Sequence, residues 1–335
     1  MCRESCVTGC KRALGMLATL VAAGLCAWPA AAADKAASVA AANFQDCPDC
    51  PVMVVVPAGS VTIGAGPDAF DRKANERIRT TATIARPFAL AETEVSRAQF
   101  AAFIADSGYP MPRGELDGKP GPMGCNFWNG VYGYVSAHDW RNPGFIQRDD
   151  EPVLCVSYED AAAYAGWLSM RTGRAYRVPS SVEFEYAARA GSDAAWHWGN
   201  NSEEACRYAN IADNTFKRRF PERQEFNCND GFEYTSRGKQ FKPNAFGLYD
   251  MVGNAWEWTA DCWHDDLTDA PLDGSAWLAA DGGVCARRTP MGGGWISGPG
   301  WARASVRSTD PASYRSFMLG FRVAADTERA DKSAR

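Results

Sequence analysis

The apolar positions of this chain fall into short patches rather than long periodic segments. Residues 52–56 form a continuous apolar run rich in valine, and a Pro-Ala-Gly sequence at 57–59 separates it from a second patch at 61–63. β-Branched residues favour extended backbone, and Pro and Gly mark the turn between the two runs. The pattern therefore predicts two strands near the start of the folded region.

Three helices are predicted from their first turns. Each begins with a serine followed three residues later by Gln, Asp or Glu, which is the capping box that satisfies the free N–H groups at a helix start. The pairs are Ser96 with Gln99 before residues 100–104, Ser157 with Asp160 before 161–170, and Ser180 with Glu183 before 184–189. Gly108, Gly173 and Gly191 stand where helices are expected to end.

Regular periodicity disappears from Trp196 onward, where Gly, Asn, Asp and aromatic residues dominate. The chain contains neither an internal repeat nor a low-complexity linker. We therefore expect one α+β domain with little regular secondary structure and a long irregular second half.

The first residues have the pattern of an export signal. Three basic residues precede an apolar run at 13–25, and the segment ends in three alanines at 31–33. This pattern predicts a cleaved signal peptide over 1–33, with an uncleaved membrane anchor as the alternative. We expect a flexible lead-in over 34–49, a periplasmic or secreted protein, and no membrane attachment after cleavage.

Composition and charge exclude some classes of function. The 335 residues carry a net charge of −5, so no basic surface argues for nucleic-acid binding. Only three histidines are present, His138, His197 and His264, which disfavours a multi-histidine metal site. His264-Asp265-Asp266 has the spacing of half a non-haem iron site, but a surface loop is the favoured interpretation.

The cysteines agree with export. Eight follow the predicted signal peptide, and an even number in an exported protein predicts disulfides. We expect neighbours to pair, because each bridge would then close one irregular loop: Cys125 with Cys155, Cys206 with Cys228, and Cys262 with Cys285. Cys47 and Cys50 form a C-x-x-C sequence, predicted to be a structural bridge because Pro51 and a β-branched run replace the helix that lowers thiol pKa in redox motifs.

Six stretches along the chain resemble, in order, the formylglycine-generating enzyme family, also called sulfatase-modifying factor. They are VVPAGS at 55–60, PV at 152–153 with SYEDA at 157–161, YRVPS at 176–180 with EFEYAAR at 183–189, GLYDMVGNAWEWT at 247–259, GGGW at 292–295, and GFRV at 320–323. The resemblance implies one domain over 50–326 that is related to C-type lectins and stabilised by disulfides and calcium. Residues 327–335 are left as a C-terminal tail.

The resemblance also implies two structural calcium sites. The first would use Asn210, the Ile211 carbonyl, Asp230 and the Phe232 carbonyl, and the second would use Asp250, the Gly253 and Ala255 carbonyls, and Glu257. Mixed carboxylate, amide and carbonyl oxygens suit calcium. Spacing alone would be explained by turn chemistry, so these sites rest on the family motifs.

The copper chemistry of the family does not transfer in the same way. Its copper-using members bind copper(I) through two cysteines after the glycine motif and use O2 to convert a substrate cysteine into formylglycine. Here Ser297 stands at the first cysteine position, and no cysteine follows Cys285. A hydroxyl is a poor copper(I) ligand, so no copper is expected and the redox metal is unknown. Arg303 and Arg307 match family arginines and are expected to line the groove beside Ser297, with ordinary ion pairing as the alternative.

Two functions follow from these observations. The first is an exported, monomeric maturation factor that oxidises a protein or peptide substrate in the groove near Ser297. Periplasmic relatives that mature peptide siderophores support a role for this fold without the copper–cysteine reaction. The second is a non-catalytic, calcium-stabilised, lectin-like binding module whose loop at 296–301 recognises a protein or glycan.

Overall fold

The computed structural model of the protein describes residues 43–67, 69–111, 124–128, 130–221 and 225–328, and the backbone of 115–116 and 119–120. All of these residues belong to one unit, Val39–Arg335. The predicted signal peptide lies outside the described residues, as does the predicted C-terminal tail beyond residue 328. Among the described residues, no helix has both the length and the apolar character needed to cross a bilayer.

Four α-helices and three short 3-10 helices are present in the described part of the chain. The α-helices are α1 (Arg97–Ser107), α2 (Tyr158–Thr172), α3 (Ser181–Arg189) and α4 (Asn214–Arg219), and the 3-10 helices are Ala74–Glu76, Ser202–Arg207 and Ala279–Asp281.

The first three α-helices begin at the predicted capping boxes. In each one the serine hydroxyl accepts from the backbone N–H three residues on, and the side chain at that position accepts in return. Gly108 and Gly173 end α1 and α2 in the left-handed conformation, as predicted. The prediction for the third helix was wrong by one residue. The cap is Ala190, which is left-handed and donates its N–H to the Tyr186 carbonyl, and Gly191 follows it, also at positive φ.

The strands are short and form several small sheets. They are β1 (Met53–Val56), β2 (Gly59–Ile63), β3 (Thr80–Ile84), β4 (Phe88–Ala91), β5 (Glu115–Leu116), β6 (Lys119–Pro120), β7 (Cys125–Trp128), β8 (Tyr132–Val135), β9 (Tyr176–Arg177), β10 (Trp256–Glu257), β11 (Cys262–Trp263), β12 (Val284–Arg288), β13 (Asp310–Pro311), β14 (Leu319–Gly320) and β15 (Ala324–Asp326). The two strands predicted near residues 52–63 are therefore confirmed as β1 and β2.

An antiparallel sheet in the order β1-β4-β15-β9 separates two apolar clusters. Successive residues of a strand point to opposite faces. Met53 accordingly joins the cluster around Phe100 and α2, whereas its neighbour Val54 joins the cluster around Phe184 of α3. The same alternation along β4 explains why all four of its residues are buried.

Disulfides hold segments of the chain that have few backbone ladders, and two of them lie in the irregular second half. Four disulfides join the predicted neighbours: Cys47–Cys50, Cys125–Cys155, Cys206–Cys228 and Cys262–Cys285. The prediction of neighbour pairing is thus confirmed. The last three each close a loop of more than twenty residues, which restricts the unfolded chain most where regular structure is scarce.

Buried ion pairs connect segments that are far apart in sequence. The Arg303 guanidinium donates to both oxygens of Glu76, and both side chains are fully buried. Arg322 binds Glu257 in the same two-point manner, also without exposure. A guanidinium suits such positions because its planar fork matches a carboxylate and leaves donors for nearby carbonyls.

Residues 43–49, which the sequence analysis placed in the lead-in, make contacts with the folded domain. Phe44 pairs with Met53 in an isolated bridge, so an additional segment lies beside the start of β1. The Asp46 carboxylate binds Arg174 at 2.8 Å and accepts from the Tyr176 hydroxyl at 2.8 Å. Residues 43–49 are therefore packed against the domain, because these contacts hold them to β9 and to the turn between α2 and β9.

We predict that the disulfides contribute unequally to stability. Replacing Cys125 and Cys155 by alanine opens a loop with a sequence separation of 30, whereas the same change at Cys47 and Cys50 opens one with a separation of 3. Loop-closure entropy assigns about 4 kcal/mol to the first bridge and about 2 kcal/mol to the second. Denaturant unfolding of both double variants measures the difference, and equal losses would contradict the entropic account.

A second prediction concerns the buried pair of Glu76 and Arg303. Glu76→Gln leaves a buried guanidinium without its counter-charge and should lower the free energy of unfolding by about 3–5 kcal/mol. Asp139→Asn is the matched control, because its pair with Arg141 is exposed at 47% and 61% and should lose at most about 1 kcal/mol. Equal losses of unfolding free energy in the two variants would show that the buried pair contributes no more to stability than the exposed one.

Candidate functional site

A surface groove lies between the loop at 294–301, strand β10 and the segment from β13 to β14. Its volume is about 290 Å³. We call it the Ser297 groove, and it is lined by Tyr132, Trp256, Ile296, Ser297, Trp301, Ser308, Asp310, Tyr314, Ser316, Met318 and Leu319. Aromatic and apolar side chains form most of its wall, and a few polar groups point into it, which is typical of a ligand site.

Ser297 is held in a fixed orientation by its own loop. Its backbone N–H donates to the Gly294 carbonyl at 2.8 Å. Its Oγ accepts from the Gly294 N–H at 3.0 Å and from Trp256 Nε1 at 3.1 Å. These two donors use the lone pairs of the hydroxyl, so its remaining capacity is to donate its proton. Among the described residues no base contacts Oγ, which argues against a nucleophilic serine.

Arg303 and Arg307 do not line this groove, and the expectation that they do is corrected. Arg303 is buried against Glu76 and the Ser305 hydroxyl. Arg307 donates to the Ser181 hydroxyl at 3.1 Å, and burial lowers the pKa of its guanidinium although Asp261 opposes the shift. Both arginines follow the glycine loop in sequence, but the chain turns inward after Trp301 and takes them into the core.

The two tryptophans of the groove differ in exposure. Trp256 is buried, whereas Trp301 is 43% exposed and stands at the rim. Their ring centroids are 6.2 Å apart at an interplanar angle of 63°. Lys73 Nζ lies 4.3 Å from the Trp301 ring centroid, and this cation–π contact helps to hold Trp301 at the rim. Trp301 is thus available for contact, while Trp295 is a fully buried core residue.

Sequence reasoning missed several residues of the groove, among them Tyr132, Asp310 and Tyr314. Burial raises the pKa of the Asp310 carboxyl, and the Ser308 hydroxyl and the charge of Arg287 oppose that shift only in part. Burial also raises the pKa of the Tyr314 hydroxyl, and Asp310 adds to the effect. No local motif marks these residues, because they reach the groove from separate segments through tertiary packing.

The residues of the first predicted calcium site lie together. The Asp230 carboxylate accepts from the Ile211 N–H at 2.9 Å and from the Phe232 N–H at 2.8 Å. The Asn210 Oδ1 is buried without a hydrogen-bond partner. Burial raises the pKa of Asp230 to about 7, and nearby Asp213 adds to the shift. A buried oxygen without a donor beside a carboxylate fits a cation-binding role.

The second predicted site holds an excess of negative groups. Asp250 Oδ1 is buried without a partner, and burial raises the pKa of this carboxyl to about 6. The two oxygens of Glu257 bind Arg322 at 2.6 and 2.7 Å. Glu94, which sequence reasoning missed, faces the same cluster, and burial, Asp250 and Glu257 raise its pKa well above the usual value. Three carboxyl groups thus share the charge of one guanidinium.

The loop between the two sites requires its glycine. Gly253 has a φ of 90°, and a Cβ there would lie 2.3 Å from the Asn210 carbonyl oxygen. The next residue, Asn254, donates its N–H to that carbonyl at 2.7 Å. The close approach brings the segments of the two predicted sites side by side.

The histidines form no metal centre in the described part of the chain. His264 Nδ1 and Nε2 lie 3.0 Å and 3.3 Å from the carbonyls of Cys262 and Asp281, and its ring stacks on Trp277 at 3.6 Å. His197 packs against Trp198 and Tyr208 instead. No cluster of three or more His, Cys, Asp and Glu side chains has metal-binding geometry among the described residues. The predicted calcium sites are of a different kind, because they depend on carbonyl and amide oxygens as well as carboxylates.

Copper(I) does not fit the groove. The described residues include all eight cysteines after the predicted signal, and each is in a disulfide. The position beside the glycine motif carries the Ser297 hydroxyl, whose oxygen already accepts two hydrogen bonds. A soft monovalent copper ion therefore finds no thiolate here.

Comparison with known proteins assigns the family. Residues 39–327 match the family model of the sulfatase-modifying factor enzyme 1-like domain. The formylglycine-generating enzyme of Thermomonospora curvata is 31% identical over 299 residues, with 82% of this chain and 93% of that protein covered. The mouse inactive C-alpha-formylglycine-generating enzyme 2 is 29% identical, with 83% and 87% covered.

A solved structure agrees with this assignment. The structure of PvdO from Pseudomonas aeruginosa aligns with a TM-score of 0.70 at 34% sequence identity and covers 85% of this chain and 98% of that one. The chain belongs to the sulfatase-modifying factor family, whose members include the formylglycine-generating enzymes.

Proposed function

We propose that this protein oxidatively modifies a protein or peptide substrate bound in the Ser297 groove. The observation that carries the proposal is the position of the groove. It is built around the residue that the resemblance aligns with the first copper-binding cysteine, and it has aromatic walls and an inward-facing hydroxyl. Family membership supports a modifying reaction on a protein or peptide, and the groove would hold one group of that substrate.

The groove residues bind and orient the substrate. Ser297 has one proton to donate, so it would hold an acceptor atom of the substrate beside Trp256. Trp256 and Trp301 would cover the bound group and exclude water from it. The resemblance implies O2 as the oxidant, but the residues of the groove do not fit copper(I).

Calcium has a structural role in this proposal. Asn210, Ile211, Asp230 and Phe232 would hold one ion, and Asp250, Gly253, Ala255 and Glu257 would hold the other. Support comes from Asn210 Oδ1 and Asp250 Oδ1, which are buried oxygens without donors. A cation at each place would supply the missing partner and join loops that lack backbone ladders. The four disulfides support a place outside the cytoplasm, in the periplasm or secreted.

A second candidate function is a non-catalytic, lectin-like binding module. The observation that favours it is the absence of a free thiol in the described groove, together with the similarity to an inactive relative. Under this alternative the groove would bind a protein or glycan without changing it. Oxygen uptake coupled to a mass change in the bound partner distinguishes the two functions.

We predict that Ser297→Ala impairs oxidation more than folding. Wild-type protein with intact disulfides should consume O2 and change the mass of one class among cysteine- and tyrosine-containing peptides, assayed with several redox metals. Loss of one hydrogen bond to the substrate should lower kcat/KM about tenfold. Oxygen-electrode rates and peptide mass spectra measure the effect, and near-ultraviolet circular dichroism checks the fold.

The matched control is Ser275→Ala, an exposed serine outside the groove that should retain full activity. If wild-type protein consumes no oxygen with any peptide and metal, the oxidase proposal is rejected in favour of the binding module. If the Ser297 variant turns over at the wild-type rate, the hydroxyl has no part in the reaction.

We also predict that calcium stabilises the protein. Binding to the folded state at a hundred times the dissociation constant adds about 2.7 kcal/mol per site, so Tm should rise between chelator and excess calcium. Asp230→Asn and Asp250→Asn should each remove part of that rise, whereas Asp269→Asn, an exposed change of the same type, should not. An identical Tm in chelator and in calcium would reject both sites.

A further inference from the structure

Asp310 is a carboxylate in the groove to which no cationic side chain in the described part of the chain is paired. It belongs to β13, whose backbone pairs with Arg287 and Arg288 of β12. Its side chain lines the cavity and accepts a hydrogen bond from the Ser308 hydroxyl at 3.3 Å. Among the described residues, no lysine or arginine nitrogen lies within ion-pair distance of this carboxylate.

The basic side chains around the groove are engaged elsewhere. Arg287 donates from Nε and Nη2 to the hydroxyl and carbonyl of Thr309, Arg315 binds Asp160, and Lys73 pairs with Asp71. The charge of Arg287 reaches Asp310 only from a distance, without a direct bond. A carboxylate that is partly removed from water and lacks a counter-ion favours a positively charged ligand.

The walls beside Asp310 are suited to the same kind of ligand. Tyr132, Trp256, Trp301 and Tyr314 all line the cavity, and the faces of aromatic rings attract cations. Lys73 over the Trp301 ring shows this interaction at the outer rim. The apolar side chains of Met318 and Leu319 complete a surface for the carbon skeleton that carries the charge.

We propose that the substrate group bound in this groove is cationic, an ammonium or guanidinium on an apolar or aromatic skeleton, and that Asp310 is its binding partner. The inference rests on the proposed function in taking this groove as the substrate site. Ser297 donates to an acceptor of the substrate, Asp310 accepts from its cation, and the aromatic walls enclose the carbons between them. Asp310 is a specificity determinant in this account.

The test uses two small probes that differ in charge. Phenethylamine carries an ammonium, whereas N-acetylphenethylamine keeps the ring and one N–H but is neutral. Binding of each to the full-length, disulfide-intact protein is measured by calorimetry and by tryptophan fluorescence. We expect wild-type protein to bind the ammonium about tenfold more tightly, which corresponds to about 1.4 kcal/mol.

Three variants complete the experiment. Asp310→Asn preserves shape and should abolish the tenfold preference, whereas Asp269→Asn, with the same loss of charge at an exposed position, should retain it. Trp301→Ala should weaken both probes, because it removes a wall rather than a charge. A preference that survives Asp310→Asn, an absence of preference in wild-type protein, or a failure of both probes to bind would each overturn the inference.

Probe binding requires no turnover, so its outcome is separate from that of the oxidase assay. A charge preference that depends on Asp310 in a protein without oxygen uptake would support the inference and reject oxidation. Oxygen uptake with a peptide, combined with no preference between the probes, would support oxidation and reject the role of Asp310.

Discussion

The buried guanidinium of Arg322 holds together the parts of the structure on which the groove depends. It binds both oxygens of Glu257 and also donates to the carbonyls of Ala91, Tyr249 and Asp250. These contacts join the end of β4, the loop before β10, and β10 itself. The residue before Glu257 is Trp256, which lines the groove and orients Ser297. The strands in this region are only two residues long, so the hydrogen bonds of one side chain join segments that a backbone ladder would join elsewhere.

Local signals predicted the local structure well. A capping box is a contact between residues three apart, so sequence spacing alone specifies it, and all three helices begin where a serine is followed by its partner. Neighbouring cysteines paired for a similar reason, since each bridge closes one loop. The family motifs predicted the residues of the two proposed calcium sites. They did not predict Glu94 or Asp310, because neither residue lies in a motif.

The errors share a physical cause. Arg303 and Arg307 are close in sequence to Ser297, but proximity in an irregular segment does not determine which way a side chain points. In a strand, side chains alternate between two faces, and in a helix they return to one face every three or four residues, so the sequence predicts where each points. In this irregular segment a buried partner determines the direction of the side chain instead: Glu76 binds Arg303 from 227 residues away in sequence. The groove is formed by segments that are far apart in sequence. No periodic pattern relates these segments, so Tyr132, Asp310 and Tyr314 could be assigned to the groove only from the structure.

The resemblance places the Ser297 hydroxyl where the copper-using members carry a thiolate. A thiolate binds soft metals, whereas the Ser297 oxygen accepts two N–H groups and has only a proton to offer, which suits the substrate-orienting role that we propose for it. The fold therefore does not determine the reaction, which depends on the side chains that line the groove.

The carboxyl groups around Arg322 exceed its positive charge. A cation beside Asp250, as proposed, would relieve their repulsion and hold the loop of Gly253 and Ala255 against β10. Because Trp256 lies between Ala255 and Glu257, order at that structural site would carry directly into the wall of the groove.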